Sequence, residues 1–348
     1  MTHESSEAVR ITGVGAEMPP LAVTTVEVEE RAGTAGAGLE PGWLERVTGV
    51  RERRWASPDV MPSALAAAAG RQALAHAGLD PRAVDALLYT GITRDFIEPG
   101  TSNVVQEALG AWNARVFDVT NGCNGLIDSL DVAASLIASS RARRVLVTTG
   151  ERASISINRR AHTPEDVLRS AAGFVVGDGG GALVVEASDD PTRGLRAWAQ
   201  RSDGRHWRHA IGGRFRPTTE ACPECDSPMD VRFLCDGRAL IAAILEVMPA
   251  VMAEALARTG WSYEDLDLVF CHEASRRFID TGIATIGNPG DLERKMWSTV
   301  GRFGNTSTVS LPLAMSEALV AGALVPGAKV MLVAAASGIS VCAATLVW

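Results

Sequence analysis

Residues 117–138 read FDVTNGCNGLIDSLDVAASLIA. A short β-type segment, Val116 to Val119, runs into the polar turn Thr120-Asn121-Gly122, and Cys123 follows. Beyond it, Leu126, Leu130, Ala133, Ala134 and Ile137 recur at three- and four-residue spacing, one face of a helix. The cysteine therefore stands where a strand ends and a helix begins. Unpaired backbone N–H groups and the positive end of a helix dipole at such a junction favour a thiolate. A buried, inert thiol is the other reading of the same residues. Local pattern alone leaves both open.

Working outward, the chain says nearly the same thing twice. DALLYTGI at 85–92 aligns with DLVFCHEA at 267–274, and VLVTTGE from 145 aligns with VMLVAAA from 330. Cys123 and Asn305 stand as far apart along the chain as Asp85 and Asp267. Each half reads strand, turn, helix, strand, and crossover helices imply parallel strand pairs. A repeat this long is a duplicated domain and not a solenoid unit. The expected organisation is α/β with two halves, 1–187 carrying the cysteine and 188–348 carrying a histidine and an asparagine. Packed face to face, such halves bring the Cys123 and Asn305 turns together.

His272 lies at the end of an apolar strand, Leu266 to Cys271, and completes a set with Cys123 and Asn305. Cysteine with histidine supports nucleophilic chemistry on an acyl group, and an asparagine amide can donate to a developing oxyanion. Singly, His272 reads as a core histidine and Asn305 as a turn residue. Jointly, around one duplicated axis, they read as a catalytic site.

Composition removes other classes. The chain has 348 residues, 47% of them hydrophobic and 21% charged, with a net charge of −8. An acidic chain of this kind is neither a general nucleic-acid binder nor a membrane-surface protein. Six cysteines are too sparse for a disulfide framework and suit a reducing compartment. MTHESSEAVR lacks the apolar core of a signal peptide and no run approaches a membrane span, so a cytoplasmic protein is expected.

Three further stretches carry candidate sites. WLERVTGVRERRW, Trp43 to Trp55, holds Arg46, Arg51, Arg53 and Arg54. It reads either as a solvated charge cluster or, with Trp43, as an entry rim for a phosphate-bearing ligand such as coenzyme A. FVVGDGGGALVVEA, from Phe174, lacks the spacing of a phosphate loop and reads as a turn of close backbone approach feeding a strand. A polar loop to about residue 228 holds His206, His209, Cys222 and Cys225, a spacing that zinc could use. Nothing else in the chain supports a metal, and none is expected.

TNGCNG, CHEAS and GRFGNTSTVSLPLAM resemble the Cys, His and Asn motifs of the thiolase-fold ketoacyl synthase III family, and the resemblance runs over essentially the whole chain. It implies a five-layered αβαβα thiolase fold and a homodimer or paralogous heterodimer. It implies acyl transfer to Cys123 from coenzyme A or acyl carrier protein, with no cofactor beyond these substrates. It also implies an oxyanion hole from the backbone N–H groups of Cys123 and Gly338. Departures are His272-Glu273-Ala274-Ser275 where fatty-acid initiation enzymes carry HQAN, and Val47 at a family arginine.

TRDFIEPGTSN is closer to the head-to-head condensing enzymes of olefin and β-lactone pathways, in which a glutamate of an R-D-x-x-E-P segment acts across the dimer. The matching residue is Glu98. Decarboxylation creates an enolate without a base, whereas joining two non-malonyl acyl thioesters requires removing an α-proton, which suits a partly desolvated carboxylate. The expected reaction is therefore acylation of Cys123, then non-decarboxylative Claisen condensation with Glu98 as base. The alternatives are a decarboxylative synthase with a malonyl extender, acyl transfer to an alcohol or amine, or a structural subunit of a heterodimeric synthase.

Overall fold

A computed structural model describes residues 8–158, 163–215 and 229–348. Two central sheets organise the chain. The first contains β1 (Ala8–Glu17), β4 (Ala86–Thr90), β5 (Arg115–Asp118), β6 (Arg144–Glu151) and β7 (Gly179–Ser188), in the order β1-β7-β6-β4-β5. The second contains β8 (Gly194–Ser202), β11 (Leu268–Cys271), β12 (Lys329–Ala336) and β13 (Ser340–Val347), in the order β11-β12-β13-β8. Two hairpin-like pairs lie outside them: β2 (Leu21–Thr24) with β3 (Glu52–Trp55), and β9 (Ala210–Phe215) with β10 (Met229–Cys235).

The duplication holds at the level of single hydrogen bonds. β4 pairs in parallel with β6, and β11 with β12. Asp85 donates its N–H to the Arg144 carbonyl, and its carboxylate accepts from the Arg144 N–H. Asp267 donates to the Lys329 carbonyl, and its carboxylate accepts from the Lys329 N–H. These aspartates open the two matching segments read from the sequence.

Strand periodicity sorts side chains into layers. In β6, Val145 and Val147 face the helices Gly125–Ala138 and Ser310–Val320 between the sheets, while Leu146 faces outward toward Ala73 and Leu74 of the helix Pro62–Ala77. In β12, Val330 and Leu332 face the same middle layer, and Met331 and Val333 face the helix Gly237–Thr259. Helix, sheet, helix pair, sheet and helix give five layers. Gly237–Thr259 has the length and apolar composition of a membrane span, and Val251, Ala255 and Leu256 bury that character against the second sheet.

The glycine-rich stretch is a packing device. A Cβ on Gly180 would stand 2.1 Å from the Leu65 carbonyl oxygen, and one on Gly150 would stand 1.9 Å from that of Pro62. One residue on, a Cβ at Gly181 would meet Pro312 at 2.3 Å on the opposite face. Consecutive glycines thus let a helix lie directly on each side of β7. Gly180→Ala should cost about 2–3 kcal/mol through overpacking, read as a fall in unfolding free energy in urea.

Several elements escaped the sequence reading, the helix Thr25–Ala32 among them. The helix Pro164–Phe174 carries little apolar signal, because only Val167, Ser170, Gly173 and Phe174 of it are buried. The β9–β10 pair lies within and beside what reads as a loop. The helix Arg276–Thr285 buries only Phe278, Ile279 and Ile283, and Ser275 caps its start.

Candidate active site

The first half presents Cys123 on a turn held from three sides. The Asp118 carboxylate, at the end of β5, accepts from the N–H groups of Thr101 and Ser102, which anchors the start of the helix Thr101–Leu109 beside the turn. Gly125 opens the cysteine helix, and a Cβ there would strike the Thr90 hydroxyl at 2.0 Å. The turn after β12 closes the third side: Asn121 Nδ2 donates to Ser340 Oγ, and a Cβ on Gly122 would lie 3.3 Å from that of Ala336. Gly338 lies in this same turn, with φ 135°.

The second half supplies the partners. Asn305 donates its N–H to the Val175 carbonyl and accepts at its own carbonyl from the Gly177 N–H, so its turn is knitted to the chain leading into β7. Its side-chain Oδ1 accepts from the Ser307 N–H at 2.9 Å, which leaves the amide NH₂ as the free donor end. His272 follows β11 and is 3% exposed. Its Nδ1 lies 3.1 Å from the Ser307 carbonyl oxygen and 3.2 Å from Ser310 Oγ. A carbonyl only accepts, so Nδ1 carries the proton and Nε2 the lone pair. The Ser307 hydroxyl reaches Cys123 Sγ at 3.7 Å. One serine thus joins all three motif residues.

Burial sets the resting charges. It pushes the Cys123 thiol up to about 12, opposed by the Ser307 hydroxyl, although the residue keeps some exposure at the cavity it lines. It pushes the His272 imidazole down to about 4, opposed by the hydrogen bond to the Ser307 carbonyl. Near neutrality the pair rests as thiol and neutral imidazole. Of the two readings the local pattern left open, burial opposes the thiolate that the helix terminus favours, and the helix begins at Gly125. A neutral imidazole with a free Nε2 is suited to take a thiol proton as an electrophile arrives.

Cys123, Asn305 and Ser307 line a cavity of ≈ 550 Å³. Its walls are largely apolar, with Ile92, Phe96, Ile97, Ile155, Val231 and Phe233 among them. His272 is not part of the wall. Glu151, at the end of β6, is, and the sequence reading missed it. It is 0% exposed, and its carboxylate accepts from the N–H groups of Ile92 and Thr93 and the hydroxyls of Thr93 and Thr308. An acidic residue ending a buried apolar strand, on the same side as the catalytic turns, was the available signal.

The remaining candidates scatter. Glu98 is exposed and does not line its own chain's cavity, whereas its neighbours Phe96 and Ile97 do. Arg53, read as a ligand-rim residue, is corrected to a structural one. It is 0% exposed, and its guanidinium donates to Thr25 Oγ1 and the Phe174 carbonyl. Arg46 is exposed and donates to the Pro41 carbonyl, Arg51 is exposed, and Trp43 packs half-buried on the core. His206 Nδ1 and His209 Nε2 lie 3.2 Å apart with the rings tilted by 33°, while Cys222 and Cys225 lie outside the described residues. Among the described residues no group of three or more His, Cys, Asp or Glu is placed to hold a metal.

Comparison with known proteins identifies the family of the chain. Residues 117–204 match the family 3-oxoacyl-[acyl-carrier-protein (ACP)] synthase III, and residues 256–348 match its C-terminal domain. The β-ketoacyl-[acyl-carrier-protein] synthase III of Roseiflexus castenholzii is 32% identical over 341 residues, 97% of each chain. The solved β-ketoacyl-[acyl carrier protein] synthase III of Thermus thermophilus superposes with a TM-score of 0.84 at 30% identity, covering 97% of this chain and 99% of that one. Cerulenin-bound OleA of Xanthomonas campestris superposes with a TM-score of 0.88 at 25% identity over 100% of both chains. The chain belongs to the 3-oxoacyl-[acyl-carrier-protein] synthase III family of thiolase-fold, acyl-transferring condensing enzymes.

Proposed function

We propose that this enzyme takes an acyl group from a coenzyme A or acyl-carrier-protein thioester onto Cys123 and condenses it with the α-carbon of a second thioester. The observation that carries this reading is the apolar cavity with Cys123, Asn305 and Ser307 in its wall. Cys123 Sγ attacks the acyl carbonyl carbon while His272 Nε2 takes the thiol proton. The donor's thiolate departs and receives that proton. A carbanion from the second thioester then attacks the acyl-Cys123 carbonyl, the carbon–carbon bond forms, and the Cys123 thiolate leaves. Asn305 and the backbone N–H groups of Cys123 and Gly338 donate to the oxyanions formed on the way.

Two sources of the carbanion remain distinct. The curated relatives are named β-ketoacyl-[acyl-carrier-protein] synthase III, which favours the alternative reading of a decarboxylative synthase, where loss of carbon dioxide from a malonyl extender needs no carboxylate base. The Arg94-Asp95-x-x-Glu98-Pro99 segment supports proton removal by Glu98 from a non-malonyl acyl thioester. Because Glu98 is exposed and outside its own cavity, it would act on the site of a second subunit, identical or paralogous. Ile97, 73% exposed beside it, is the kind of apolar surface such an assembly would cover.

Purified protein offered paired acyl-CoAs, with and without malonyl thioester, separates the two. If Glu98 is the base, Glu98→Ala should lower β-keto product from paired acyl-CoAs by about 100-fold or more while the mass adduct on Cys123 persists. Product that requires malonyl thioester and survives Glu98→Ala would assign the decarboxylative route.

A further inference from the structure

Ser307 holds a backbone conformation that a serine does not choose. Its φ is 53°, in the left-handed region, where a side-chain-bearing residue is strained and persists only if its surroundings over-determine it. The surroundings here are the catalytic residues themselves. Its N–H donates to Asn305 Oδ1 at 2.9 Å, and its carbonyl accepts from His272 Nδ1 at 3.1 Å. A second donor, Ser310 Oγ, reaches the same carbonyl at 2.7 Å. These bonds use only the Ser307 main chain. They would be made equally well by glycine, which adopts the left-handed region without strain.

The side chain is then the unexplained part. The Ser307 hydroxyl points at Cys123 Sγ, 3.7 Å away, in the wall of the cavity, and the residue is only 6% exposed. We propose that Ser307 is a catalytic residue whose hydroxyl donates a hydrogen bond to the Cys123 sulfur whenever that sulfur is a thiolate. This occurs twice in the reaction. As the thiol proton passes to His272, the donated hydrogen bond stabilises the attacking sulfur. As the condensation product departs, it stabilises the leaving sulfur. The Ser307 O–H bond stays intact throughout, so no proton is gained or lost at this residue. In the acylated state the thioester sulfur is a poor acceptor and the hydroxyl is released. The direction of the Ser307 effect on the thiol, opposing burial, agrees with this role.

The proposal rests on the acyl-Cys123 reading above, and its test does not depend on knowing the acyl donor. Full-length wild type, Ser307→Gly and Ser307→Ala are treated with iodoacetamide between pH 7 and pH 10, and alkylation of Cys123 is followed by peptide mass spectrometry. Loss of the donor should displace the rate in both variants about tenfold downward at every pH, with the slope unchanged. A purely structural role predicts otherwise: glycine would match or exceed serine in stability and keep the wild-type rate, and a loosened site would alkylate faster. Ser307→Gly alone decides the matter if Ser307→Ala fails to fold. A wild-type alkylation profile in Ser307→Gly overturns the proposal. The tenfold displacement in a protein that takes up no acyl group would uphold the hydrogen bond from Ser307 to the Cys123 thiolate and overturn the acyl-transfer reading on which its catalytic role rests.

Discussion

Cys123→Ala should lower kcat/KM for acyl transfer by at least about 10⁴-fold and abolish the acyl adduct on intact protein. The expected size follows from the site having one nucleophile. Among the described cysteines only Cys123 lines the cavity with Asn305 and Ser307. Cys271, although adjacent to His272, turns its thiol to the His272 carbonyl at 3.2 Å and stands among apolar side chains behind the site. The substitution removes one sulfur from the cavity wall and leaves the turn's backbone bonds in place, so the fold should be nearly unaffected. An adduct of undiminished mass yield in Cys123→Ala would remove the nucleophile from its assigned position.

Glu151→Ala should destabilise the protein by about 3 kcal/mol, read as a lowered unfolding free energy in urea. The N–H groups of Ile92 and Thr93 lose their carboxylate acceptor together, and Thr308 keeps only its contact with Thr149. Glu151→Gln retains one acceptor oxygen and should recover part of the loss. The functional effect is expected in KM before kcat. The segment Ile92 to Ile97 forms a wall of the cavity, and Glu151 is what ties its beginning to the catalytic turn of the other half. Equal stability of Glu151→Ala and wild type would show that water replaces the carboxylate without cost.

Much of this architecture is legible in the sequence because it rests on periodicity. The apolar runs of β4, β6, β11 and β12 and the helical face from Leu126 to Ile137 identify themselves. The repeat of Asp85 and Asp267 at the heads of matching strands gives the two-half organisation. His272 is legible because it follows β11, and Cys123 and Asn305 because they stand at matching places in the repeat.

Ser307 is not, and Glu151 is legible only as an acidic end to an apolar strand, since what they meet lies far along the chain: Thr308 meets Glu151 across 157 positions, and Ser307 meets Cys123 across 184. No local pattern encodes such a pairing. Arg53 misleads for a related reason. A charge counted in a basic cluster reads as solvated, yet carbonyl and hydroxyl acceptors from distant segments allow it to be wholly buried. The charge of Cys123 is not legible locally either, because a helix terminus contributes at most about 2 kcal/mol and an apolar enclosure, which only the fold reveals, opposes it.

The candidate site draws Cys123 from the first half and His272 and Asn305 from the second, with the Val176–Asn305 bridge and the Thr149–Thr308 hydroxyl contact crossing between the halves. The proposed chemistry would then depend on how the two halves are aligned. A small shift of one against the other would leave every strand and helix intact while altering the spacing of Cys123, Asn305 and Ser307 around the cavity they share.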